Sequence, residues 1–414
     1  MRRVFRLYGE LDVIPTAGLE SSKSPPEQDI RTAQKRLRLC YISNPNSIHT
    51  RRWVGWFAQR GHTVCLLADV PPKEPWPDVP MIDLSSIING HLVRFAVWEV
   101  WLRRFIRQWR PDVLHAHRVN SAGWLAAFSG FHPYVITPWG SDIFIGPQRS
   151  WLARQLAHYA LRNADCITTM SQAMSAMVEH LGAEPDRLNR IHFGVEMDIF
   201  NSQPPTDYAK IELKKRLGLP EQAHLVLSAR AISSIYNQDI IMQAIPLVCE
   251  QAPEAVFIFL DYNTNPEYKR QLEILANNLG VESYFRWLPA TSSRSQMAEL
   301  YHSCDVVVSV PSTDGSPLSV MEAMACGRPV ICSDLPTLRE YITPGVNGHL
   351  VPLRQPAPLA DAILRVLQNP AQAAEFGQKA HQLVAERANL NVEMQRMESR
   401  YYQLAGFSEV KRHA

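Results

Sequence analysis

The sequence predicts an α/β protein with two Rossmann-like domains whose parallel sheets face a cleft. The chain has 414 residues, which is too many for one ordinary hydrophobic core. Short β-branched runs alternate with amphipathic helical segments through both halves, a pattern typical of parallel sheets covered by helices. A polar stretch containing two prolines, at 201–208, separates the halves and is interpreted as a linker.

Composition limits the classes of function. A hydrophobic content of 46% is ordinary for a globular protein, and a formal net charge of +2 argues against a nucleic-acid partner. The seven cysteines are scattered without a CxxC pair, so we expect buried thiols in a reducing compartment. The sequence contains neither a spanning apolar run nor a signal-peptide core, and we therefore expect a cytoplasmic protein.

The N-terminal domain is predicted over 37–200, after a polar extension at 1–36 that we expect to be poorly ordered. The strand LRLCYIS, the helix at 48–60 and the strand HTVCLLAD form a βαβ unit. Its turn carries none of the glycines of a dinucleotide fingerprint, and the chain has no P-loop. Binding of NAD or ATP in the usual ways is therefore not expected.

The next strand ends at His117, and we expect the rings of His115 and His117 to point to opposite faces of it. His117 then faces the cleft or serves as a structural histidine. The preceding helix carries an apolar stripe and a basic edge within residues 98–110. Two interpretations of this segment stay open, a solvated helix edge and docking on an anionic membrane surface.

The C-terminal domain is predicted over 205–390, and we expect the last helix, about 392–405, to return to the first domain. Its central stretch is Ser309–Asp334, which predicts strand, loop, helix, turn and strand. Asp314 and Glu322 bracket the helix start with seven residues between them. Glu322 lies among apolar residues and needs a hydroxyl or charged partner there. Two acids beside a helix N-terminus, at the carboxyl edge of a parallel sheet, suit a phosphate-bearing ligand.

This stretch, spelled DGSPLSVMEAMACGRPVI, resembles the retaining glycosyltransferases of family 4 (group 1), which have the GT-B fold. The segments GVEMDIF (194–200), PWGSD (138–142) and SIHTRRW (47–53) are also similar to that family. The resemblance covers about residues 37–390. It implies transfer of a sugar from a nucleotide-sugar donor to an acceptor hydroxyl, in glycan, polysaccharide or glycolipid synthesis.

The resemblance also implies roles for individual residues. Glu322 takes the ribose, Asp314 contacts the donor sugar, and the backbone that follows lines the donor sugar and diphosphate at Gly315, Ser316, Pro317 and Leu318. Arg230 occupies the place of one diphosphate cation, while Tyr236 and Asn237 stand where the family has a lysine. Either could replace part of that lysine by hydrogen bonding. The candidate catalytic residues are Asp314, Arg230, His117 and Asp142.

On the acceptor side the resemblance points to Gly140, Ser141 and His49, with Trp139 where the family often has a histidine. No DxD sequence occurs, so we expect no metal and no other cofactor, the nucleotide-sugar being a substrate. The expected partners are the donor and a carbohydrate or lipid-linked acceptor, at the inner face of the membrane if 98–110 docks there.

Two alternatives to a glycosyltransferase remain open. They are a non-hydrolysing nucleotide-sugar epimerase and a degenerate sugar-nucleotide-binding scaffold.

Overall fold

The computed structural model describes most of the chain and carries two parallel sheets. The described residues are 35–76, 79–86, 94–203, 207–289, 291, 293–315 and 317–407. The expectation for 1–34 and the predicted role of Ser316 fall outside these ranges. Two α/β units with parallel sheets confirm the predicted fold class.

The N-terminal sheet consists, within the described residues, of seven parallel strands. These are β1 Arg38–Ser43, β2 Thr63–Ala68, β3 Met81–Asp83, β4 Val113–His117, β5 Tyr134–Thr137, β6 Cys166–Thr169 and β7 Leu188–Arg190. Their order is β3-β2-β1-β4-β5-β6-β7. Strands β2 and β3 lie on one side of β1, and the strands from β4 onward lie on the other side. Such a switch in strand order leaves a crevice at the carboxyl edge of the sheet.

The helices of this half connect consecutive strands. They are α1 Ile48–Gln59, α2 Arg94–Trp109, α3 Ser121–Ser129, α4 Ser141–Phe144, α5 Trp151–Asn163 and α6 Gln172–His180. In α2 the apolar stripe is buried or half-buried, as its spacing predicts, and the side chains of Arg103, Arg104 and Arg107 are exposed. This burial supports the interpretation of 98–110 as a helix that packs on the sheet with a solvated basic edge. It does not bear on docking to a membrane.

The C-terminal sheet consists of six parallel strands in the part of the chain that is described. These are β8 His224–Ser228, β9 Ala255–Asp261, β10 Phe285–Pro289, β11 Val306–Ser309, β12 Val330–Ser333 and β13 His349–Val351, in the order β10-β9-β8-β11-β12-β13. The helices are α7 Asp207–Arg216, α8 Gln238–Cys249, α9 Pro266–Leu279, α10 Arg294–Ser303, α11 Leu318–Ala325, α12 Pro356–Gln368, α13 Pro370–Arg387 and α14 Leu390–Leu404. Apolar clusters cover both faces of this sheet.

The last helix, α14, packs against the N-terminal core. Its Tyr401 is fully buried, and the Tyr401 hydroxyl lies 3.0 Å from the hydroxyl of Tyr41 on β1. Glu398 of the same helix pairs with Arg60 at 2.8 Å and with His62 at 2.9 Å. Buried groups of this kind are costly unless they are partnered, so these pairs fix where α14 docks.

Two further features concern the chain as a whole. All seven cysteines are buried and unpaired, as their apolar contexts predict. No described helix is both long enough and apolar enough to cross a membrane.

Candidate active site

The loop between β11 and α11 lies at the carboxyl edge of the C-terminal sheet. Strand β11 ends at Ser309, and α11 begins at Leu318 with Pro317 as its N-cap residue. Proline suits a helix entry because its φ is fixed near the helical value and the N–H that it lacks would have no partner there. Apolar side chains anchor α11 on both sides of Glu322, since Met321, Ala323 and Met324 are fully buried. The loop itself is held by Thr337, whose hydroxyl donates to the Asp314 carbonyl at 2.9 Å.

Asp314 forms a buried ion pair with Arg230, which follows β8. The Arg230 Nη2 atom lies 2.8 Å from Asp314 Oδ2, and the two side chains are 11% and 9% exposed. Arg230 also donates to Ser319 Oγ at 3.1 Å and lies over the ring of Tyr236 at 4.2 Å. Burial alone would lower the pKa of Arg230, but the charge of Asp314, together with the smaller effects of Tyr236 and Tyr262, outweighs it and the pKa is raised. The guanidinium therefore keeps its charge at any physiological pH.

Tyr236 and Asn237, which the sequence resemblance places opposite a lysine, have different environments. Tyr236 stacks under Arg230. Asn237 is fully buried at a φ of 51°, and its amide donates to the Val310 carbonyl at 2.7 Å and to Ser312 Oγ at 3.0 Å. Asn237 thus joins the start of α8 to the loop after β11, while Tyr236 restricts the movement of the cation.

Glu322 has two partners within the protein. Arg294 Nη2 lies 2.6 Å from Glu322 Oε1, and the Tyr301 hydroxyl donates to Oε2 at 3.2 Å. The sequence predicts that this carboxylate needs a partner, and the structure supplies one on each oxygen. A carboxylate oxygen can accept more than one hydrogen bond, so capacity for a ligand remains.

Arg294 belongs to a charged network that sequence reasoning did not find. Its guanidinium contacts Glu322 and also Glu196, whose Oε2 lies 2.7 Å from Arg294 Nη2. Glu196 in turn lies 3.3 Å from Arg52 Nε on α1. The only sequence signal was the position of Glu196 in GVEMDIF, since the other members come from distant segments.

The PWGSD segment of the N-terminal half is organised by Asp142. Its carboxylate accepts hydrogen bonds from three backbone N–H groups, those of Val119 (2.7 Å), Trp139 (2.9 Å) and Gly140 (2.8 Å). Burial raises the pKa of Asp142, and these bonds partly offset that effect. The side chain therefore shapes the loop, and both of its oxygens are already engaged.

Gly140 and Gly315 bring the two halves of the site into contact. A Cβ atom on Gly140 would lie 3.1 Å from the Gly315 Cα, and one on Gly315 would lie 2.8 Å from the Trp139 carbonyl oxygen. Gly140 also has a φ of 123°, which side chains other than glycine rarely adopt. The neighbouring Ser141 is exposed. Only glycine at both positions lets the backbones meet this closely.

His49 lies on α1 at the same edge, among aromatic rings and cations. Its ring stacks on Phe193 with centroids 4.2 Å apart, and Trp139 meets it edge-on at 5.7 Å. Burial, together with the positive charges of Arg52, Arg294 and Arg230, lowers the pKa of His49 to about 3. The imidazole is therefore neutral, and its buried Nδ1 has no hydrogen-bond partner among the described residues.

His115 and His117 share one face of β4, so the expectation of opposite faces was wrong. Residues two apart on a strand point the same way, and the two rings lie 4.7 Å apart. His115 bonds to Tyr401 and Thr137 in the core. His117 is fully buried, with Nδ1 3.2 Å from Ser43 Oγ, and burial lowers its pKa to about 3. The ring centroids of His117 and Trp139 are 5.9 Å apart.

Within the described residues, no cluster of three or more His, Cys, Asp or Glu side chains could hold a metal ion.

Two family models match the chain, one in each half. Residues 209–383 match the model of group 1 glycosyl transferases, and residues 38–171 match a glycosyl transferase 4-like model. The chain belongs to the group 1 glycosyltransferases. Members of this group occur among its relatives as well as among solved structures of the same fold.

A D-inositol 3-phosphate glycosyltransferase from Xylanimonas cellulosilytica is 30% identical over 280 residues, which are 64% of this chain and 66% of that protein. The chain spans about half to two thirds of the length of the curated relatives it matches. The sucrose-phosphate synthase of Thermosynechococcus elongatus superposes with a TM-score of 0.78 at 20% identity, covering 90% of this chain and 100% of that one. HepE of Anabaena, solved with UDP-glucose, gives 0.75 at 17% identity, covering 89% and 100%. These likenesses establish the GT-B fold of this group 1 glycosyltransferase.

Proposed function

We propose that this protein transfers a sugar from a nucleotide-sugar donor to an acceptor hydroxyl with retention of configuration. The observation that carries the proposal is the arrangement around the start of α11. Asp314 and Glu322 flank this helix start, Arg230 pairs with Asp314, and Gly140 of the other half touches Gly315. Carboxylates suit the hydroxyl pairs of sugars, and a planar cation suits a diphosphate.

The donor would lie along this loop. Glu322 accepts the ribose hydroxyls, because each of its oxygens already holds one protein donor and keeps room for another. Asp314 accepts hydroxyls of the transferred sugar. Backbone N–H groups of Gly315 and of the first turn of α11 at Leu318 face the diphosphate, where the helix dipole favours negative charge.

The chemistry follows from the placement of Arg230. The bond between the anomeric carbon and the donor phosphate oxygen breaks while the acceptor oxygen bonds to that carbon on the same face. The acceptor proton passes to the departing phosphate oxygen, and Arg230 stabilises the charge that develops there. Arg230 suits this role because its charge is constant. Its guanidinium also stacks on the ring of Tyr236, with 4.2 Å between the guanidinium carbon and the ring centroid. The contact between Gly140 and Gly315 would keep water away from the donor.

The acceptor would approach from the N-terminal half. Asp142 sets the loop that presents Gly140 and Ser141, and His49 adds a neutral nitrogen that can accept a hydrogen bond from a hydroxyl group. His117 lies deeper, beside Trp139, and would support this surface as a neutral ring. The proposed acceptors are carbohydrates or lipid-linked carbohydrates. D-inositol 3-phosphate should be tested as an acceptor as well, because curated relatives are named D-inositol 3-phosphate glycosyltransferases.

A cytoplasmic protein with a lipid-linked acceptor would work at the inner face of a membrane, and α2 offers a surface for it. Arg103, Arg104 and Arg107 are exposed, and Val100 beside them is 61% exposed. Replacing the three arginines with glutamine should weaken sedimentation with vesicles that contain phosphatidylglycerol. Binding that equals that of the wild type would remove α2 from the proposal.

The experiment that tests the proposed function measures donor binding and its dependence on the two carboxylates. Thermal stabilisation by UDP-, GDP- and ADP-sugars identifies the donor, since only a ligand of the native state raises the melting temperature. Asp314→Asn and Glu322→Gln should each reduce that stabilisation, while Glu267→Gln on the surface of α9 serves as the matched control.

Turnover then separates the reaction classes. Acceptor-dependent release of nucleotide, unchanged by EDTA, is expected because we propose no metal cofactor. Conversion of the nucleotide-sugar without any acceptor would instead indicate an epimerase. Stabilisation by a donor with no turnover at all would indicate a binding scaffold, and absence of donor binding would contradict the proposal.

A further inference from the structure

Four alternating charges form one continuous chain of contacts through the site. Arg52 lies on α1, Glu196 follows β7, Arg294 opens α10 and Glu322 lies in α11. Arg52 Nε is 3.3 Å from Glu196 Oε2, the same oxygen is 2.7 Å from Arg294 Nη2, and Arg294 Nη2 is 2.6 Å from Glu322 Oε1. The chain begins in the N-terminal half and ends at the carboxylate proposed to bind the ribose.

The members of this chain depend on one another because they are shielded from water. The side chains at its two ends, Arg52 and Glu322, are only 6% and 5% exposed. A shielded charge that loses its partner is strongly unfavourable, so Glu322 needs Arg294. Arg294 is in turn held on both sides by carboxylates, and its guanidinium lies 4.5 Å over the ring of Phe200. Together these contacts restrict the Arg294 guanidinium to one position.

Arg294 also fixes the rotation of the Glu322 carboxylate. It occupies Oε1 while the Tyr301 hydroxyl occupies Oε2. With one fixed donor on each oxygen, the lone pairs that remain free have set directions. Two adjacent hydroxyls, as in a ribose, can each meet one of those lone pairs. Without Arg294, the same carboxylate would turn or pair elsewhere.

We propose that Arg294 is a donor-positioning residue, which holds Glu322 in the orientation that accepts both ribose hydroxyls and is itself held by Glu196 and Arg52. The inference rests on the proposed function, because it takes Glu322 as the ribose-binding group. It assigns to Arg294 the discrimination between a ribose and a 2′-deoxyribose. It also makes that discrimination depend on Arg52 of the N-terminal half, which is linked to Glu322 by the contacts through Glu196 and Arg294.

Isothermal titration calorimetry with nucleoside diphosphates tests directly whether Arg294 positions Glu322 for ribose binding. The probes are UDP, GDP and ADP, each compared with its 2′-deoxy form, and the diphosphate that binds the wild type defines the pair used for the variants. The wild type should bind the ribose form about tenfold or more tightly than the deoxy form, as expected for the loss of a hydrogen bond to a charged group. In Arg294→Met this ratio should fall to about threefold or less, because an unoriented carboxylate gains little from the 2′-hydroxyl.

Three further variants sharpen the test. Arg294→Lys should recover part of the ratio, since a lysine keeps the charge but cannot hold two carboxylates with one planar fork. Arg52→Met should lower the ratio less than Arg294→Met does. Arg270→Met removes an exposed arginine that pairs with Glu267 on α9, and it should leave the ratio unchanged. Circular dichroism of every variant verifies the fold.

The outcomes separate the inference from the function on which it rests. If the wild type binds none of the six diphosphates, the proposed function fails and the inference fails with it. If the wild type binds and discriminates but Arg294→Met keeps the full ratio, the positioning role is wrong while the donor site stands. A role in stability alone would lower the melting temperature of Arg294→Met and leave the ratio unchanged, which also contradicts the inference.

Discussion

At the scale of single residues, the ion pair of Arg230 and Asp314 links the proposed donor site to the stability of the fold. The two groups lie 2.8 Å apart with little exposure, so neither can lose its partner without cost. The same arginine is proposed to stabilise the leaving diphosphate. A donor would therefore enter a site whose cation is already held in place.

Arg230→Met should destabilise the protein by about 3 kcal/mol, because it leaves the Asp314 carboxylate buried without a cation. Adding Asp314→Asn should restore a large part of that loss, since the double variant buries no unpaired charge. Urea unfolding of the wild type, both single variants and the double variant measures the coupling. A single-variant loss below about 1 kcal/mol would show that the pair is well solvated.

His117 should make stability depend on pH. Its folded-state pKa is lowered to about 3 by burial, with smaller effects of His49 and Arg118, while an unfolded histidine titrates near about 6.5. Between these values the unfolded chain binds the extra proton, so stability is full above the unfolded pKa and is lost as the pH falls below it. From pH 6.5 to pH 5.0 the loss is about 2 kcal/mol for this histidine.

His117→Gln should remove about that much of the decrease. Urea unfolding of both proteins at pH 7.5 and pH 5.0 gives the comparison. An equal decrease in the two proteins would show that His117 is protonated in the folded state.

The residues that sequence reasoning found share one property, which is that they lie close together in the chain. Asp314 and Glu322 were found because one loop and one helix turn carry both. Arg294, Glu196 and Arg52 were missed because their partners lie far away in sequence. A charged residue at a helix start has many solvated explanations, and only the fold shows which carboxylate it meets.

At the scale of elements, the two loops that meet at Gly140 and Gly315 link the halves of the site. Gly140→Ala would place a Cβ atom 3.1 Å from Gly315 and would force a φ of 123° on an alanine. We expect a loss of about 1–3 kcal/mol from backbone strain and at least a tenfold lower transfer rate. The rate would fall because the loops could no longer approach each other as closely.

Gly130 provides the control for strain without contact. It has a φ of 66°, and a Cβ atom there would meet nothing within 4 Å. Gly130→Ala should therefore cost some stability and leave the transfer rate close to that of the wild type. Equal rates in the Gly140 and Gly130 variants would show that the loop contact is not needed for transfer.

The elements themselves follow from the sequence to different degrees. Buried β-branched runs such as Val306–Ser309 identified the strands, because few other structures accommodate them. His115 and His117 share one face of β4 because side chains alternate along a strand with a period of two residues, and this period contradicts the prediction of opposite faces. The sequence predicts that the helix ending at Trp109 begins at about residue 89, and residues 87–93 lie outside the described ranges.

At the scale of the whole molecule, the two halves are joined by more than the linker. Glu340, after β12, accepts hydrogen bonds from the backbone N–H groups of Gln172 (2.9 Å) and Ala173 (3.1 Å) at the start of α6. Tyr341 donates to the Met170 carbonyl at 2.9 Å. A carboxylate at a helix N-terminus is favoured by the helix dipole, so this contact helps to keep the cleft narrow.

The parallel sheets and their two-domain layout could be predicted because alternation of strands and helices leaves few topologies. The contacts across the cleft could not, because they depend on the angle between two separately folded cores. Thr337 illustrates this, as it holds the Asp314 loop while its neighbours Glu340 and Tyr341 reach the other half. Nothing in the local sequence of 335–342 indicates a bridge.

The most direct test of retaining transfer is proton NMR of the product formed from the donor that the thermal screen identifies. With an α-linked nucleotide-sugar and a suitable acceptor, the first product should carry an α-linkage, with nucleoside diphosphate released in equal amount. Glu322→Gln should slow this reaction at least tenfold, while Glu267→Gln should not. A β-linked product would contradict retention, and release of free sugar without transfer would contradict the transferase account itself.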